Sequence, residues 1–292
     1  MSLPKTTRVY RRTQDGKSIE LLTEDLPSSL AATQVLLKIH AVTLNSRDVA
    51  MIDGHYFVPV TPQGVPCSDA AATVVAVGIS VTGLKEGDYV TPSFMLNYLH
   101  SREKSVKPAS LGGDVDGVLR EYAIFEQQFL TKIPEHLSYE EGSTIACAGV
   151  TAWTSLDFHA KSTAIESALM LGTGGVSMFA VLLCLAAGIT PIITSSSDEK
   201  LEQVKALGTK DKPVLGFNHR THAEWAAEVQ RLTDNAGVDC IVNNVGYTAM
   251  EQSYAALAPR DGTISLVGFL GGLPDKMPDM VMPTMMKKAK IQ

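Results

Sequence analysis

The sequence predicts an α/β chain of two domains, in which a β-rich N-terminal domain precedes a doubly wound parallel sheet. At 292 residues the chain is long for a single hydrophobic core. Short β-branched runs separated by turn residues fill residues 1–155, whereas strand-like and helix-like runs alternate over residues 156–292. Within the second part, one stretch of about 30 residues joins two apolar runs through a glycine turn and a helix.

The composition excludes several classes of protein. Hydrophobic residues make up 45% of the chain and charged residues 19%, which is ordinary for a globular protein. The net charge of −6 argues against a nucleic-acid or anionic-membrane surface, because either needs a basic face. No apolar run reaches the length of a membrane span, and no secretory signal is recognisable. We therefore expect a soluble protein with a small-molecule substrate, and neither nucleic acid nor membrane as a partner.

The four cysteines predict a reducing compartment. They are Cys67, Cys147, Cys184 and Cys240, which lie far apart and form no CxxC motif. Cys184 and Cys240 fall within apolar helix-like and strand-like runs, so we expect buried thiols rather than a disulfide framework. This usage is typical of a cytoplasmic protein.

The first domain is predicted from β-branched runs and turn residues. Strands are expected over residues 19–22, 34–42, 73–77, 89–90, 119–125 and 129–133. Ser138 is expected to begin a helix, because Glu141 three residues later completes a capping box. The polar, Gly- and Pro-containing stretch 94–117 predicts a long loop.

The stretch 168–197 predicts a dinucleotide site. An apolar run leads into a turn made of Gly172, Thr173, Gly174 and Gly175, and an apolar helix is expected from Val176 to Ala187, where Gly188 stops it. Gly172 allows the tight turn, and at Gly174 the missing Cβ lets the backbone approach a pyrophosphate. The N–H groups at the helix start then face the anion. Ser177 stands where Gly or Ala is usual and is small enough for close packing. The alternative is a plain buried turn in an α/β core.

The alternating pattern continues after this unit. Helices are expected over 199–207, 223–233 and 250–257, and strands over 214–217, 240–245 and 263–267. This alternation predicts a parallel sheet covered on both faces. Residues 287–292 look like the start of another strand, which suggests a truncated chain; a natural terminus is the alternative.

With these motifs in order, the chain resembles the medium-chain dehydrogenase/reductase superfamily over nearly its whole length. The resemblance is to its zinc-free branch, which includes quinone and enoyl reductases. The stretches that carry it are residues 41–48 (AVTLNSRD), 54–56 (GHY), 66–71 (PCSDAA), 74–78 (VVAVG), 87–90 (GDYV), 148–153 (AGVTAW) and the glycine turn.

The resemblance implies an N-terminal GroES-like β domain and a Rossmann domain, with the active site in a cleft between them. Members usually run longer, with a sixth Rossmann strand that pairs across a homodimer and a tail that returns to the first domain. Both are expected to be missing here, which leaves dimerisation and full activity of this chain open.

The resemblance also predicts that no metal is bound. Zinc-dependent relatives use cysteine, a His-Glu pair and a second cysteine or aspartate. The matching positions here hold Asn45, Ser68 with Asp69, and Cys147, of which only Cys147 is a competent soft ligand. The loop 94–117 holds none of the four cysteines of the structural zinc lobe. A rearranged site that uses His55, Cys67 or Asp69 is the alternative to an ordinary packed pocket.

The end of the second strand of the parallel sheet favours NADPH over NADH. NAD-specific sites place an acid there, on the ribose hydroxyls. Here that position falls near Ser195, followed by Ser196, with Lys200 within reach. Hydroxyl donors and a cation suit a 2′-phosphate, which a carboxylate would repel. We expect the acids at 198–199 to begin the next helix. The alternative is a polar loop with Ser197 as N-cap and a solvated Lys200.

Four further positions are assigned to the cofactor by the resemblance. His219 is expected beside the adenosine and Thr151 near the phosphate on the nicotinamide side. Gly246 and the turn at Gly268 and Phe269 are expected to close over the nicotinamide.

The candidate proton donor lies in the first domain. The stretch from Asn45 to Tyr56 closely resembles mitochondrial enoyl thioester reductases, whose proton donor is the tyrosine that closes it. Tyr56 is therefore the candidate acid, and a pocket-wall or loop aromatic is the alternative. Asn45 is expected to hydrogen-bond to the nicotinamide ribose or the substrate carbonyl. Asp69 is a second proton-relay candidate, and Asp48 is expected to fix the loop.

Together these features predict a zinc-independent, NADPH-dependent reductase of an activated C=C bond, a quinone or a carbonyl. Two alternatives stay open, an alcohol dehydrogenase-like activity and an NADPH-binding protein without turnover. Tyr98 and His100 lie in the variable loop, where they either contact substrate or are solvated.

Overall fold

A computed structural model describes residues 3–97, 107–157 and 165–292 of the protein, so Tyr98 and His100 lie outside the described residues. The chain divides into two compact units, Met1–Cys147 and Ala148–Gln292. This boundary precedes the one expected after residue 155. The reason is that Ala152 and Leu156 are fully buried in a core cluster of the second unit.

The first unit is an antiparallel β structure with two short α-helices over its described residues. Its elements are β1 (Thr6–Arg12), β2 (Ile19–Asp25), β3 (Gln34–Thr43), α1 (Ser46–Ile52), β4 (Asp69–Val77), β5 (Tyr89–Pro92), β6 (Tyr122–Glu126), β7 (Leu130–Lys132) and α2 (Tyr139–Gly142). β1 and β2 form a hairpin, and the other strands form one sheet in the order β6-β3-β4-β5-β7. This β-rich unit agrees with the predicted N-terminal domain.

Local sequence signals explain most of these elements. The capping box of α2 is confirmed, since Ser138 Oγ accepts from the Glu141 N–H and the Glu141 side chain accepts from the Ser138 N–H. β1 was not predicted, because its inward positions include Thr7 and Arg12 rather than an apolar series. α1 was also missed, since seven residues are too few to display helical periodicity.

The second unit is a parallel sheet with helices. Its elements are α3 (Val150–Ser155), β8 (Ser167–Met170), α4 (Gly175–Ala187), β9 (Thr190–Ser195), α5 (Asp198–Lys205), β10 (Leu215–Asn218), α6 (Trp225–Leu232), β11 (Cys240–Asn243), α7 (Met250–Ala256), β12 (Thr263–Leu266), α8 (Val281–Lys287) and β13 (Lys290–Ile291). The strand order is β10-β9-β8-β11-β12-β13. The chain adds strands outward from β8 to one edge of the sheet and then from β11 to the other edge, and all strands stay parallel. That order is the doubly wound arrangement predicted from the sequence.

Two apolar clusters pack this sheet. Val181 and Leu201, from α4 and α5, belong to one cluster, and Val229 and Met250, from α6 and α7, belong to the other. α4 ends where expected, because Gly188 takes a left-handed conformation with φ +77°. Among the described residues, no helix combines the length and the apolar character needed to cross a membrane.

The sixth strand corrects one expectation from the sequence. We expected the last Rossmann strand to be missing, yet β13 occupies its place and pairs in parallel with Thr263 and Ile264. The Lys290 N–H donates to the Gly262 carbonyl at 2.9 Å and the Gln292 N–H to the Ile264 carbonyl at 3.1 Å. Two residues are therefore enough to begin the ladder, and the predicted strand start at 287–292 is confirmed. Pairing of this edge with a second copy stays a prediction.

Candidate cofactor and catalytic sites

The glycine turn presents bare backbone at the carboxyl end of β8. Gly172 has φ +90°, a left-handed value that favours glycine, and Gly174 is the N-cap of α4. A Cβ atom added at either glycine would meet no heavy atom within 4 Å outside its chain neighbours. Thr194 Oγ1 accepts from the Gly172 N–H at 2.9 Å and so ties the turn to β9. The turn thus leaves open space beside its backbone, as a phosphate-binding turn requires.

The start of α4 supplies backbone donors beside this space. The first hydrogen bond of the helix runs from the Met178 N–H to the Gly174 carbonyl at 2.9 Å, so the N–H groups of Gly175 and Val176 precede the helical ladder. Ser177 is fully buried, and its Oγ accepts from Asn244 Nδ2 at 3.0 Å. This hydrogen bond joins α4 to the end of β11. It explains how a serine serves at a position where a smaller residue is usual.

The region after β9 and β10 contains the residues expected at the adenosine end. The Ser195 side chain is buried, its Oγ accepts from the Ser197 N–H at 3.1 Å, and its carbonyl accepts from the His219 N–H at 3.0 Å. Ser196, Lys200 and His219 are exposed. Ser197 caps α5 by accepting from the Lys200 N–H at 3.3 Å. Of the two predicted hydroxyls, only that of Ser196 is exposed.

Asp198 begins α5, as expected from the sequence, and it is held by a neighbouring strand. Its Oδ1 accepts from Asn218 Nδ2 at 2.8 Å, at the end of β10. The carboxylate therefore has a fixed partner at the start of a helix, where the helix dipole also favours negative charge. Asn218 was not singled out from the sequence, since the contact joins residues 20 positions apart.

The loops after β11 and β12 meet at the predicted glycines. Gly246 has φ +99°, and a Cβ atom there would lie 3.0 Å from both the Gly268 carbonyl oxygen and Phe269 Cα. Asn243 is fully buried, and its Oδ1 accepts from the N–H groups of Val245 and Gly246 at 3.0 and 2.9 Å. The structure thus brings Gly246, Gly268 and Phe269 together. Asn243, which holds this loop, was missed because two asparagines at the end of an apolar strand match no motif.

Thr151 lies in α3 and is half-buried. It lines a shallow cavity of about 380 Å³ together with Val150, Thr154, Ser265 and Val267. Ser265 and Val267 lie at the carboxyl end of β12, next to the loop that carries Gly268. The second unit therefore gathers its predicted cofactor residues around the carboxyl ends of its strands, where ligands of open α/β sheets bind.

A polar cluster around Asp69 forms the candidate site of the first unit. Asp69 is fully buried at the start of β4. Its Oδ2 accepts from Asn45 Nδ2 at 2.7 Å and from Ser68 Oγ at 2.6 Å, and its Oδ1 accepts from the Cys147 N–H at 2.6 Å. Burial raises the pKa of Asp69, and the three hydrogen bonds oppose that shift. Both carboxylate oxygens are thus occupied by donors.

Asp48 fixes the loop, as the sequence predicted. It is buried in the first turn of α1, and its Oδ2 accepts from the Asn45 N–H at 2.8 Å. Burial raises the pKa of Asp48, with the Asn45 hydrogen bond acting in the opposite direction. The backbone of Asn45 and its side chain are therefore held by two different carboxylates.

The described contacts of Tyr56 do not include any residue of the Asp69 cluster. It is half-buried, and its hydroxyl accepts a hydrogen bond from Arg47 Nε at 3.3 Å. The Tyr56 ring stacks at a tilt on Phe57, with ring centroids 5.0 Å apart. No described hydrogen bond joins Tyr56 to Asn45 or Asp69. Arg47 was not among the predicted site residues, because an arginine two positions after Asn45 reads as an ordinary exposed helix residue.

Comparison with known proteins identifies the family. Residues 31–135 match the alcohol dehydrogenase GroES-like domain, and residues 175–292 match the zinc-binding dehydrogenase family. A zinc-type alcohol dehydrogenase-like protein of Schizosaccharomyces pombe is 38% identical over 250 residues, which cover 84% of this chain and 70% of the relative. This chain belongs to the medium-chain dehydrogenase/reductase superfamily. It is an oxidoreductase of that superfamily, as its sequence motifs indicated.

Two further members of the superfamily show how far the similarity extends. The quinone oxidoreductase of Homo sapiens is 27% identical over 240 residues, which cover 82% of this chain and 65% of the relative. A crystal structure from Sinorhizobium meliloti 1021, named provisionally as an alcohol dehydrogenase, superposes with a TM-score of 0.84 at 32% identity. That superposition covers 99% of this chain and 84% of the other. The GroES-like and Rossmann folds predicted from the sequence are therefore both confirmed.

One of the two matching families is named for zinc binding, but the side chains of this chain do not form a zinc site. At the positions of the zinc ligands stand an amide, a hydroxyl, the thiol of Cys147 and Asp69, whose two oxygens already accept three hydrogen bonds. Zinc sites need three or four thiolate, imidazole or carboxylate ligands. Within the described ranges, no three His, Cys, Asp or Glu side chains are grouped to hold a metal. We therefore derive no catalytic step through zinc.

Proposed function

We propose that this oxidoreductase is a zinc-independent, NADPH-dependent reductase of an activated C=C bond, a quinone or a carbonyl. The observation that carries the proposal is the network around Asp69. Hydrogen bonds engage both oxygens of a carboxylate at one of the positions where zinc-dependent relatives hold metal. A reduction there must rely on positioned donors and a proton source. The name of the human relative, quinone oxidoreductase, supports a quinone among the acceptors.

The preference for NADPH is supported by the residues after β9. The strand ends in Ser195 rather than an acid, and the nearest carboxylate, Asp198, is engaged by Asn218. Ser196 and Lys200 are exposed and chemically suited to a 2′-phosphate. The open glycine turn suits the pyrophosphate of either cofactor, so the preference rests on this region alone.

The proposed roles of the side chains follow from their contacts. When bound, a nicotinamide cofactor would supply the hydride, which carries the electron pair of the reduction. Tyr56 supplies the proton from its hydroxyl. Asn45 orients the substrate carbonyl or the ribose, and Asp69 holds the Asn45 amide in place. Asp69 is less suited as the proton donor, because all its described contacts are accepted hydrogen bonds.

Fluorescence titration with NADPH and NADH tests the cofactor assignment first. We expect at least about tenfold tighter binding of NADPH than of NADH, which corresponds to about 1.4 kcal/mol.

A reduction assay with 2-cyclohexen-1-one and 1,4-benzoquinone, monitored by nicotinamide absorbance, then tests the reaction. Tyr56→Phe is expected to lower kcat about a hundredfold, in the range of general acid catalysis, with unchanged NADPH affinity. Tighter binding of NADH would contradict the cofactor proposal, and an unchanged kcat would remove Tyr56 from its role.

An alcohol dehydrogenase-like activity is the second candidate, because the Schizosaccharomyces pombe relative carries that name. It predicts that NADP⁺ is reduced in the presence of primary alcohols and that added Zn²⁺ raises the rate. The third possibility, cofactor binding without turnover, predicts tight NADPH binding that Tyr56→Phe leaves unchanged, and no oxidation of NADPH by any enone or quinone. The titration, the reduction assay and the alcohol assay together separate all three functions.

A further inference from the structure

The guanidinium of Arg47 joins three segments of the first unit at the Tyr56 side chain. Besides the hydrogen bond from its Nε to the Tyr56 hydroxyl, its Nη1 donates to the Leu111 carbonyl at 2.9 Å. Its Nη2 donates to Ser110 Oγ at 3.4 Å. The Arg47 Cζ atom lies 4.7 Å from the centroid of the Phe94 ring and 5.5 Å from that of Tyr56. The guanidinium is thus fixed from several sides.

The residues around Arg47 leave space for its guanidinium group. A Cβ atom added at Gly113 would lie 2.7 Å from Arg47 Nη2 and 2.7 Å from Ser110 Oγ, so a side chain there would collide with both. Ser110 is itself oriented, since its Oγ donates to Asp114 Oδ2 at 2.6 Å. The glycine and the oriented serine leave a fitted space for the guanidinium.

Among the described residues, the hydrogen-bond partners of Arg47 are all uncharged oxygens. None of the ion pairs among the described residues includes Arg47, whose neighbours are carbonyl and hydroxyl oxygens and two aromatic rings. Coulombic attraction links Arg47 to the neighbouring Asp48 carboxylate, and the positive potential of the half-buried guanidinium also reaches other nearby oxygens. Here the oxygen within hydrogen-bond distance of Nε is the Tyr56 hydroxyl.

We infer that Arg47 is the positioning residue for proton transfer from Tyr56, an inference that rests on the proposed function. In this step the Tyr56 O–H bond breaks, and the proton goes to the substrate atom that holds the electron pair left after hydride addition. The phenolate oxygen that remains accepts the hydrogen bond from Arg47 Nε, which becomes charge-assisted on both sides and therefore stronger. Bulk solvent then supplies a new proton that restores the Tyr56 hydroxyl, so each turnover consumes one H⁺ together with one hydride. Arg47 thus holds the donor oxygen in place and stabilises the charge that develops on it.

Kinetics on the full chain test this role through a double-mutant cycle. With NADPH and 2-cyclohexen-1-one or 1,4-benzoquinone, we expect Arg47→Met to lower kcat about tenfold or more with an unchanged KM for NADPH. Arg47→Lys should recover part of the loss, because it restores the cation. In a Tyr56→Phe background, Arg47→Met should change kcat less than about threefold, since the two residues act as one unit. Arg8→Met is the matched control, because Arg8 forms an exposed ion pair with Glu121.

A second readout does not depend on turnover. In protein labelled with ¹³C at tyrosine Cζ, the Tyr56 resonance is assigned by its disappearance in Tyr56→Phe. We expect it to shift in Arg47→Met and to keep its position in Arg8→Met. If Arg47→Met fails to fold, Arg47→Lys takes its place in both experiments, with a smaller expected shift.

These outcomes separate the two proposals. If the unaltered protein reduces neither probe, the proposed function fails, and the tyrosine resonance alone decides whether Arg47 positions Tyr56. An unmoved Tyr56 resonance would overturn the inference. So would an equal loss of kcat from Arg47→Met with and without the Tyr56 hydroxyl.

Discussion

The glycine turn of the second unit and the Asp69 cluster of the first are built by opposite means. The turn is made of backbone from one continuous stretch, in which Gly172 and Gly174 contribute by lacking side chains. The cluster is made of side chains, and the donors to Asp69 come from residues 1, 24 and 78 positions away. A substitution that adds atoms should therefore impair the turn, whereas a substitution that removes atoms should impair the cluster.

Removal of the Asp69 carboxylate should produce the largest effect. Asp69→Ala leaves Asn45 Nδ2, Ser68 Oγ and the Cys147 N–H without their acceptor. At about 1 kcal/mol or more for each unsatisfied buried group, we expect the free energy of unfolding to fall by about 3 kcal/mol. Urea denaturation measures this loss. Glu202→Ala serves as control, because Glu202 is exposed on α5, pairs with Lys205 and should cost about 1 kcal/mol or less. Equal losses in the two variants would contradict the central role of Asp69.

An added methyl group in the glycine turn should affect binding rather than stability. Gly174→Ala introduces a Cβ into open space at an ordinary φ of −79°, so the melting temperature should stay unchanged. The same atom blocks the approach of the pyrophosphate, and we expect the Kd for NADPH to rise about tenfold, or about 1.4 kcal/mol. Fluorescence titration measures the change.

The control for this prediction is another glycine with open space around it. Gly83 has φ +80°, and Gly83→Ala should lower the melting temperature slightly without any change in the Kd for NADPH. If Gly174→Ala lost stability and kept its affinity, the turn would be a structural corner of the sheet and not a binding site.

Release of Asp198 should have the smallest effect. Asn218→Ala removes the amide that holds the Asp198 carboxylate at 2.8 Å, which frees it to repel a 2′-phosphate. We expect the preference for NADPH over NADH to fall about threefold, in keeping with an exposed charge interaction of less than about 1 kcal/mol. The added change Asp198→Ala should restore the preference. A preference that stays constant through both variants would show that Asp198 has no influence on cofactor choice.

The same contrast explains what the sequence predicted. The βαβ unit, the left-handed end of α4 at Gly188 and the capping box at Ser138 depend on residues close together in the chain, and all were predicted. Asn218 and Asn243 were not predicted. Asn218 acts across 20 positions, and a partner at that distance follows from packing, which a single sequence does not display. Asn243 acts on Val245 and Gly246 close by in the chain, but the pair Asn243-Asn244 after an apolar strand matches no motif that would identify this role.

The first unit shows the same limit at its strands. Residues 119–121 were predicted to begin a strand of the sheet, yet they run beside β1, where the Tyr10 N–H donates to the Leu119 carbonyl at 3.0 Å. The extended conformation was predicted and the partner was not. Local β-branched residues specify an extended backbone, and the choice of neighbour is made by the rest of the fold.

The close approach of Gly113 to Arg47 has a consequence for evolution. A side chain at position 113 would approach the guanidinium and Ser110 Oγ, so the two sites are sterically linked although they lie far apart along the chain. Homologous chains that keep arginine at the first site should keep glycine at the second. Those that carry a small residue at the first site should accept a larger residue at the second more often, because one of the two contacts that exclude a Cβ atom is gone. An aligned set of homologues should therefore show the two columns changing together.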